Sequence, residues 1–210
     1  MKKILFSVLM LALFVVPSYA LENILDTTME VDLKVGVGLN SALESKEAGQ
    51  SSFDEKSDVD MPFAVAADFY YYNPEFKYIA LGLGVSNLFN SKIDKTEDGK
   101  IGFTNLYLAV KAKYDLKEYS SIFDNIYLLI NGGYGLVSLE PKESYNVDNG
   151  FYGAAGLGTE IKGHFIIEVL YAVNYAKIRD ITTEAVSAYD ADIDLMYTKI
   201  MLNIGYKFSF

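Results

Sequence analysis

The chain has 210 residues, a formal net charge of −10, no cysteine and a single histidine, yet 51% of its residues are hydrophobic. That balance excludes a disulfide scaffold, a thiol nucleophile and a zinc–thiolate site, and it opposes binding to nucleic acid or anionic surfaces. The apolar residues must be buried somewhere, and after the first twenty positions no run is long enough for a membrane helix.

Those first twenty residues read as an export signal. Lys2 and Lys3 precede the uncharged run Ile4 to Val16, Pro17 breaks it, and Ser18-Tyr19-Ala20 supplies small residues for cleavage. The expected organisation is a signal peptide at 1–20 and one domain at 21–210. Removing the signal takes the charge from −10 to −12, because residues 1–20 carry two lysines and no acid.

From Met29 the chain alternates. Met29, Val31, Leu33, Val35, Val37 and Leu39 fall on one face, and Glu30, Asp32, Lys34, Gly36, Gly38 and Asn40 on the other. A period of two is that of a strand. The same alternation recurs in Met61 to Tyr71, Lys77 to Asn87, Thr104 to Leu116, Ile126 to Leu136, Phe151 to Ile161, Phe165 to Tyr175 and Thr198 to Phe210. Eight strands of this length suit a tilted crossing of a bilayer. The connections alternate too. Long charged ones such as SALESKEAGQSSFDEKSDVD and AKIRDITTEAVSAYDAD follow odd strands, and shorter ones (YNPEF, KEYSSIFDN, KGH) follow even strands. This is the layout of an up-and-down antiparallel transmembrane β-barrel with both ends on the periplasmic side.

A soluble barrel with its apolar face inside has the same alternation. Three features favour the opposite orientation. The polar face is rich in Gly and Ala. Aromatics gather at strand ends of the apolar face: Phe69, Tyr71, Tyr114, Phe165, Tyr206 and Phe208 at one level, Phe63, Tyr134, Phe151 and Tyr175 at the other. The chain also closes on Tyr206-Lys207-Phe208-Ser209-Phe210. With the signal and the eight strands, that ending resembles the small OmpA-like and OmpX-like outer-membrane barrels. The resemblance implies a cell outer-membrane location, contact with outer-membrane lipid, and reading of Tyr206, Phe208 and Phe210 by the barrel assembly machinery. It also permits an adhesin-like surface role, with the long loops offered to an extracellular partner that the residues do not identify.

Turned inward, Glu30, Asp32, Lys34, Asp68, Lys111, Lys113, Glu160, Glu168 and Lys207 collect in the periplasmic half of the lumen. The expectation is an inward polar network that closes the barrel by salt bridges. The runner-up is a narrow channel or small-ligand transporter of the OmpW-like kind, its path running past small residues in the outer half unless Tyr107 and Tyr152 fill that space. A lipid-modifying barrel enzyme ranks third and is disfavoured. The single histidine, His164, sits in a turn on the far side from the outer leaflet, and Ser86 has no histidine beside it. No cofactor is expected. Asp190, Asp192 and Asp194 form an acidic ladder, but without the pattern of a calcium loop, so no metal site is assigned.

Overall fold

The computed structural model describes residues 28–47, 55–73, 76, 78–93, 99–140, 146–179 and 193–210. The expected signal peptide lies outside these residues, as do Asp190 and Asp192 of the acidic ladder. Among them the chain is built of strands: β1 (Thr28–Glu47), β2 (Glu55–Asp58), β3 (Phe63–Tyr72), β4 (Ile79–Lys92), β5 (Lys100–Asp115), β6 (Phe123–Glu140), β7 (Asn146–Asp148), β8 (Gly150–Ile161), β9 (Phe165–Arg179) and β10 (Ile193–Ser209). Eight long strands pair antiparallel in chain order, and β10 returns to pair with β1, so the sheet closes. The short strands β2 and β7 extend the wall beside β1 and β9.

The closing seam runs from Glu30 opposite Ser209 to Glu47 opposite Ile193. Its lower end is fastened by Phe210, whose amide donates to the Met29 carbonyl at 2.9 Å and whose carbonyl accepts from the Met29 amide at 3.2 Å. Closure leaves no long open edge, which is how a sheet satisfies its backbone groups away from water.

Burial settles which face points in. Leu81, Leu83, Leu108, Ile130, Leu157, Tyr171 and Ile204 are 52–66% exposed on the outer surface, while Asp32, Lys111 and Glu168 are fully buried. A soluble barrel would reverse this. The interior nonetheless contains large apolar groups as well as the expected small ones: Ile101, Phe103, Leu129, Ile166 and Leu170 are buried among the inward residues.

The strands are longer than alternation suggests. The stretch SALESKE, expected as loop, continues β1, and EKSD forms β2 against it. A register shift between Gly38 and Asn40 reverses the parity of β1 there. Asn40, expected inside, is exposed, and Ser41 is buried instead. One extra residue in a strand turns all later side chains to the other face.

At the other end the β8–β9 turn is tight. Lys162 and Gly163 have φ of 50° and 77°, and His164 donates its amide to Ile161 at 3.2 Å. Two left-handed residues in succession give the turn whose twist matches the flanking strands. The connection after β5 is longer, and side chains staple it: Ser120 Oγ accepts from the amides of Ile122 at 3.1 Å and Phe123 at 3.0 Å.

Candidate functional site: the charged lumen

Seven of the eight long strands send polar side chains into one layer in the lower lumen. Lys34 on β1 pairs with Asp68 on β3 and, at 2.9 Å, with Glu168 on β9. Lys111 on β5 reaches Asp32 at 2.8 Å and both Glu30 and Glu160 at 3.4 Å. Lys113 pairs with Glu30 and, at 2.8 Å, with Glu160. Lys207 on β10 pairs with Glu160 and lies 3.5 Å from Glu30. Every predicted inward charge is therefore in this layer. Strands β1 and β5 are not neighbours in the sheet, so the Lys111–Asp32 bridge ties opposite walls together.

Tyrosines complete it. Tyr107 donates its hydroxyl to Asp68 at 2.6 Å, Tyr127 to Glu168 at 2.9 Å, and Tyr72 to Glu30 at 3.0 Å. The Lys111 ammonium lies 4.6 Å from the centroids of both the Tyr70 and Tyr127 rings, and that of Lys113 lies 4.5 Å from the Tyr72 ring. These contacts add cation–π attraction to the ion pairs, and attraction of that kind grows where water is excluded. Asn125 and Asn203 donate to Glu160 at 2.7 Å and Glu168 at 3.3 Å.

Glycines make room for the rings. A Cβ at Gly84 would meet Asp68 and the Tyr107 ring, and one at Gly158 would meet the Tyr127 ring. Bare backbone lets each tyrosine lie against the opposite wall.

The upper lumen differs. Asn174 donates to Asn105 at 2.5 Å, and Asn105 donates to Ser86 at 3.1 Å. Tyr107 and Tyr152 do fill this space, with ring centroids 5.2 Å apart, and Phe103 stacks on Tyr197, also at 5.2 Å. A cavity of about 30 Å³ lies between the two layers, lined by residues of both, Lys34 and Lys199 among them. Lys199 was not among the predicted site residues. Its signal was present: it shares the inward parity of Asn203 and Lys207 on β10.

The features weighed for catalysis stay apart. Ser86 is held by Asn105 within the barrel, whereas exposed His164 occupies the β8–β9 turn. His164 has a partner of its own, stacking on Tyr206 at 5.3 Å with an 8° interplanar angle. Phe165 and Phe208 flank Tyr206 at 5.7 and 4.9 Å, so three residues of the aromatic level form one outward cluster with the histidine. Asp194 lies 3.9 Å from Lys46. No group of three His, Asp or Glu arranged to hold a metal ion occurs among the described residues.

No protein-family model matches the chain, and neither does any curated protein. Solved structures do. The outer membrane protein OprG from Pseudomonas aeruginosa is 15% identical, superposes with a TM-score of 0.52, and aligns over 87% of this chain and 96% of its own. Neisserial surface protein A (NspA) is 10% identical, with a TM-score of 0.46 over 87% of this chain and 97% of that one. Ail, the attachment invasion locus protein of Yersinia pestis, solved with the heparin analogue sucrose octasulfate, is 14% identical, with a TM-score of 0.41 over 86% and 99%. The likeness to OprG is one of fold. With the closed eight-stranded sheet and its outward apolar face, it defines the chain as a small outer-membrane-type β-barrel.

Proposed function

We propose that this protein resides in the outer membrane as a barrel closed along its axis, and that its role is structural or surface-interacting rather than transport or catalysis. The observation that carries this reading is the reciprocal pairing of four lysines with five carboxylates across the lower lumen. An ion passing through must separate pairs that bury each other from water, and breaking a buried pair costs about 3–5 kcal/mol. Eight strands leave an interior just wide enough for side chains, which supports the same conclusion.

The parts free to meet a partner are then at the upper rim, where β1, β2, β6, β7 and β9 rise beyond the charged layer. Exposed polar segments on a rigid barrel are natural contact surfaces. Tyr206, Phe208 and Phe210 are assigned to recognition by the assembly machinery. Phe210 combines that outward ring with the backbone pairing that fastens the seam, so deleting it should lower the amount of folded barrel recovered from membranes.

The deciding experiment is current recording across a planar lipid bilayer. Protein refolded in detergent is first verified by its heat-dependent shift on a gel. The expected result is a silent bilayer. Steady openings whose conductance changes when Glu168 is replaced by Gln would replace this reading with a narrow channel.

A further inference from the structure

Lys199 is the one described inward lysine that the ionic layer does not serve. Its side chain is buried, and its single polar contact among the described residues is the side-chain amide oxygen of Asn174 at 3.5 Å. The rings of Tyr197 and Phe103 lie 5.2 and 5.9 Å from the ammonium. An ammonium carries three donors, so this contact leaves it short of acceptors. A buried cation without a counter-charge is costly, and water supplies hydrogen bonds but no charge.

The cavity beside it is suited to supply that charge. It measures about 30 Å³, enough for a water-sized group or a small ion. Two lysines and no carboxylate are among the residues that line it. Ser86, also in the lining, accepts from Asn105, which leaves its hydroxyl hydrogen free to donate. Asn203 adds an amide. Lys34 is already paired with Asp68 and Glu168, so Lys199 is the lining charge that lacks a carboxylate, with hydroxyl and amide groups beside it.

We propose that this cavity is a binding site for one small monovalent inorganic anion of the size and charge of chloride, held by Lys199. The site adjoins the lower ionic layer through Lys34 and Asn203 but is centred on Lys199, and the proposal does not depend on whether the barrel conducts. It gives the lumen two ways of neutralising lysines: protein carboxylates below and a solvent anion above.

The test uses the full chain, folded in detergent and crystallised from a bromide salt, with diffraction recorded at the bromine absorption edge. An anomalous peak within hydrogen-bond distance of Lys199 Nζ is expected in the wild type and should be absent from Lys199→Met. No peak there in the wild type overturns the proposal, and so does a peak that survives the substitution or a carboxylate found in the cavity. A solution measurement stands if the variant does not crystallise. Exchanging gluconate for chloride at about ten times its Kd, at constant ionic strength, should raise the wild-type melting midpoint by roughly 3–6 °C. An unchanged midpoint counts against the site.

Discussion

The two halves of the lumen treat a buried lysine in opposite ways. In the lower half Lys111 touches three carboxylates and lies between two tyrosine rings. In the upper half Lys199 meets one amide oxygen and two rings. Both ammonium groups are withdrawn from bulk water, so burial does not separate them; the surrounding charge does. The contrast teaches that a barrel interior of this width is filled by layers with separate electrostatic rules, and that the same substitution should have different consequences in each.

The largest effect is expected at the centre of the lower layer. Lys111→Met keeps the length and removes the charge, leaving Asp32, Glu30 and Glu160 facing one another with fewer cations. Stranded buried charges cost about 3–5 kcal/mol. Denaturant unfolding of the refolded barrel measures it, and a loss below about 1 kcal/mol would mean that water, rather than Lys111, satisfies those carboxylates.

A pair of changes then tests whether the layer works as a unit. Lys34→Met alone leaves Asp68 and Glu168 without their shared cation, and it should destabilise nearly as much. Adding Glu168→Gln removes one of the two stranded charges, so the double variant should be more stable than Lys34→Met. A coupling of about 0.5–3 kcal/mol is expected from residues in one network. Strict additivity would dissolve the lower layer into independent pairs and erase its distinction from the upper half.

How much of this was readable beforehand follows from what each part of the wall faces. Where one face meets lipid and the other meets the lumen, alternation is enforced, and runs such as Val31 to Val37 declare the strand and its inside. Above the apolar band neither face needs to be apolar. Glu44 to Glu47 still pairs with Met196 to Ile193 through its backbone, but its composition looks like loop. The shift near Leu39 was hidden for a related reason, since Leu39, Asn40 and Ser41 are compatible with either parity. The charged layer was legible as a set of inward residues. Its pairings were not, because Lys34 and Glu168 meet only after β9 and β10 have closed against β1. Lys199 carries the same inward parity as Lys207, but with no acid at its level it did not join a cluster. Parity placed Tyr70, Tyr107 and Tyr152 inside, where they are buried, but not the hydroxyl contacts of Tyr107 with Asp68 or Tyr127 with Glu168, which join residues far apart in the chain.

Space sharpens the comparison at the boundary between the layers. Gly84 lies where a methyl group would press on Tyr107 and Asp68, whereas a methyl group at Gly132 meets nothing within 4 Å. Gly84→Ala should therefore cost about 1–3 kcal/mol, the usual penalty for overpacking. Gly132→Ala should be neutral or slightly stabilising, since glycine weakens a strand interior. Equal effects from the two would show that backbone preference, and not the Tyr107 contact with Asp68, controls this level of the wall.

The smallest change in stability is expected where the charge is least compensated. Lys199→Met breaks no ion pair among the described residues and exchanges an ammonium beside two aromatic rings for an apolar group of similar length. The loss of two cation–π contacts works against the variant, by about 0.5–1 kcal/mol each. Release from burying an unpaired charge works in its favour and is at least comparable. In chloride-free medium the variant should lie within about 1 kcal/mol of the wild type, on the stable side if the second effect is larger. The result matters because the chemical change matches that at Lys111. If both substitutions cost several kcal/mol, Lys199 has protein partners equivalent to those below and the two halves obey one rule. If only Lys111 does, the surroundings of each lysine set its effect, and the upper half can exchange its counter-charge with solvent without loosening the barrel.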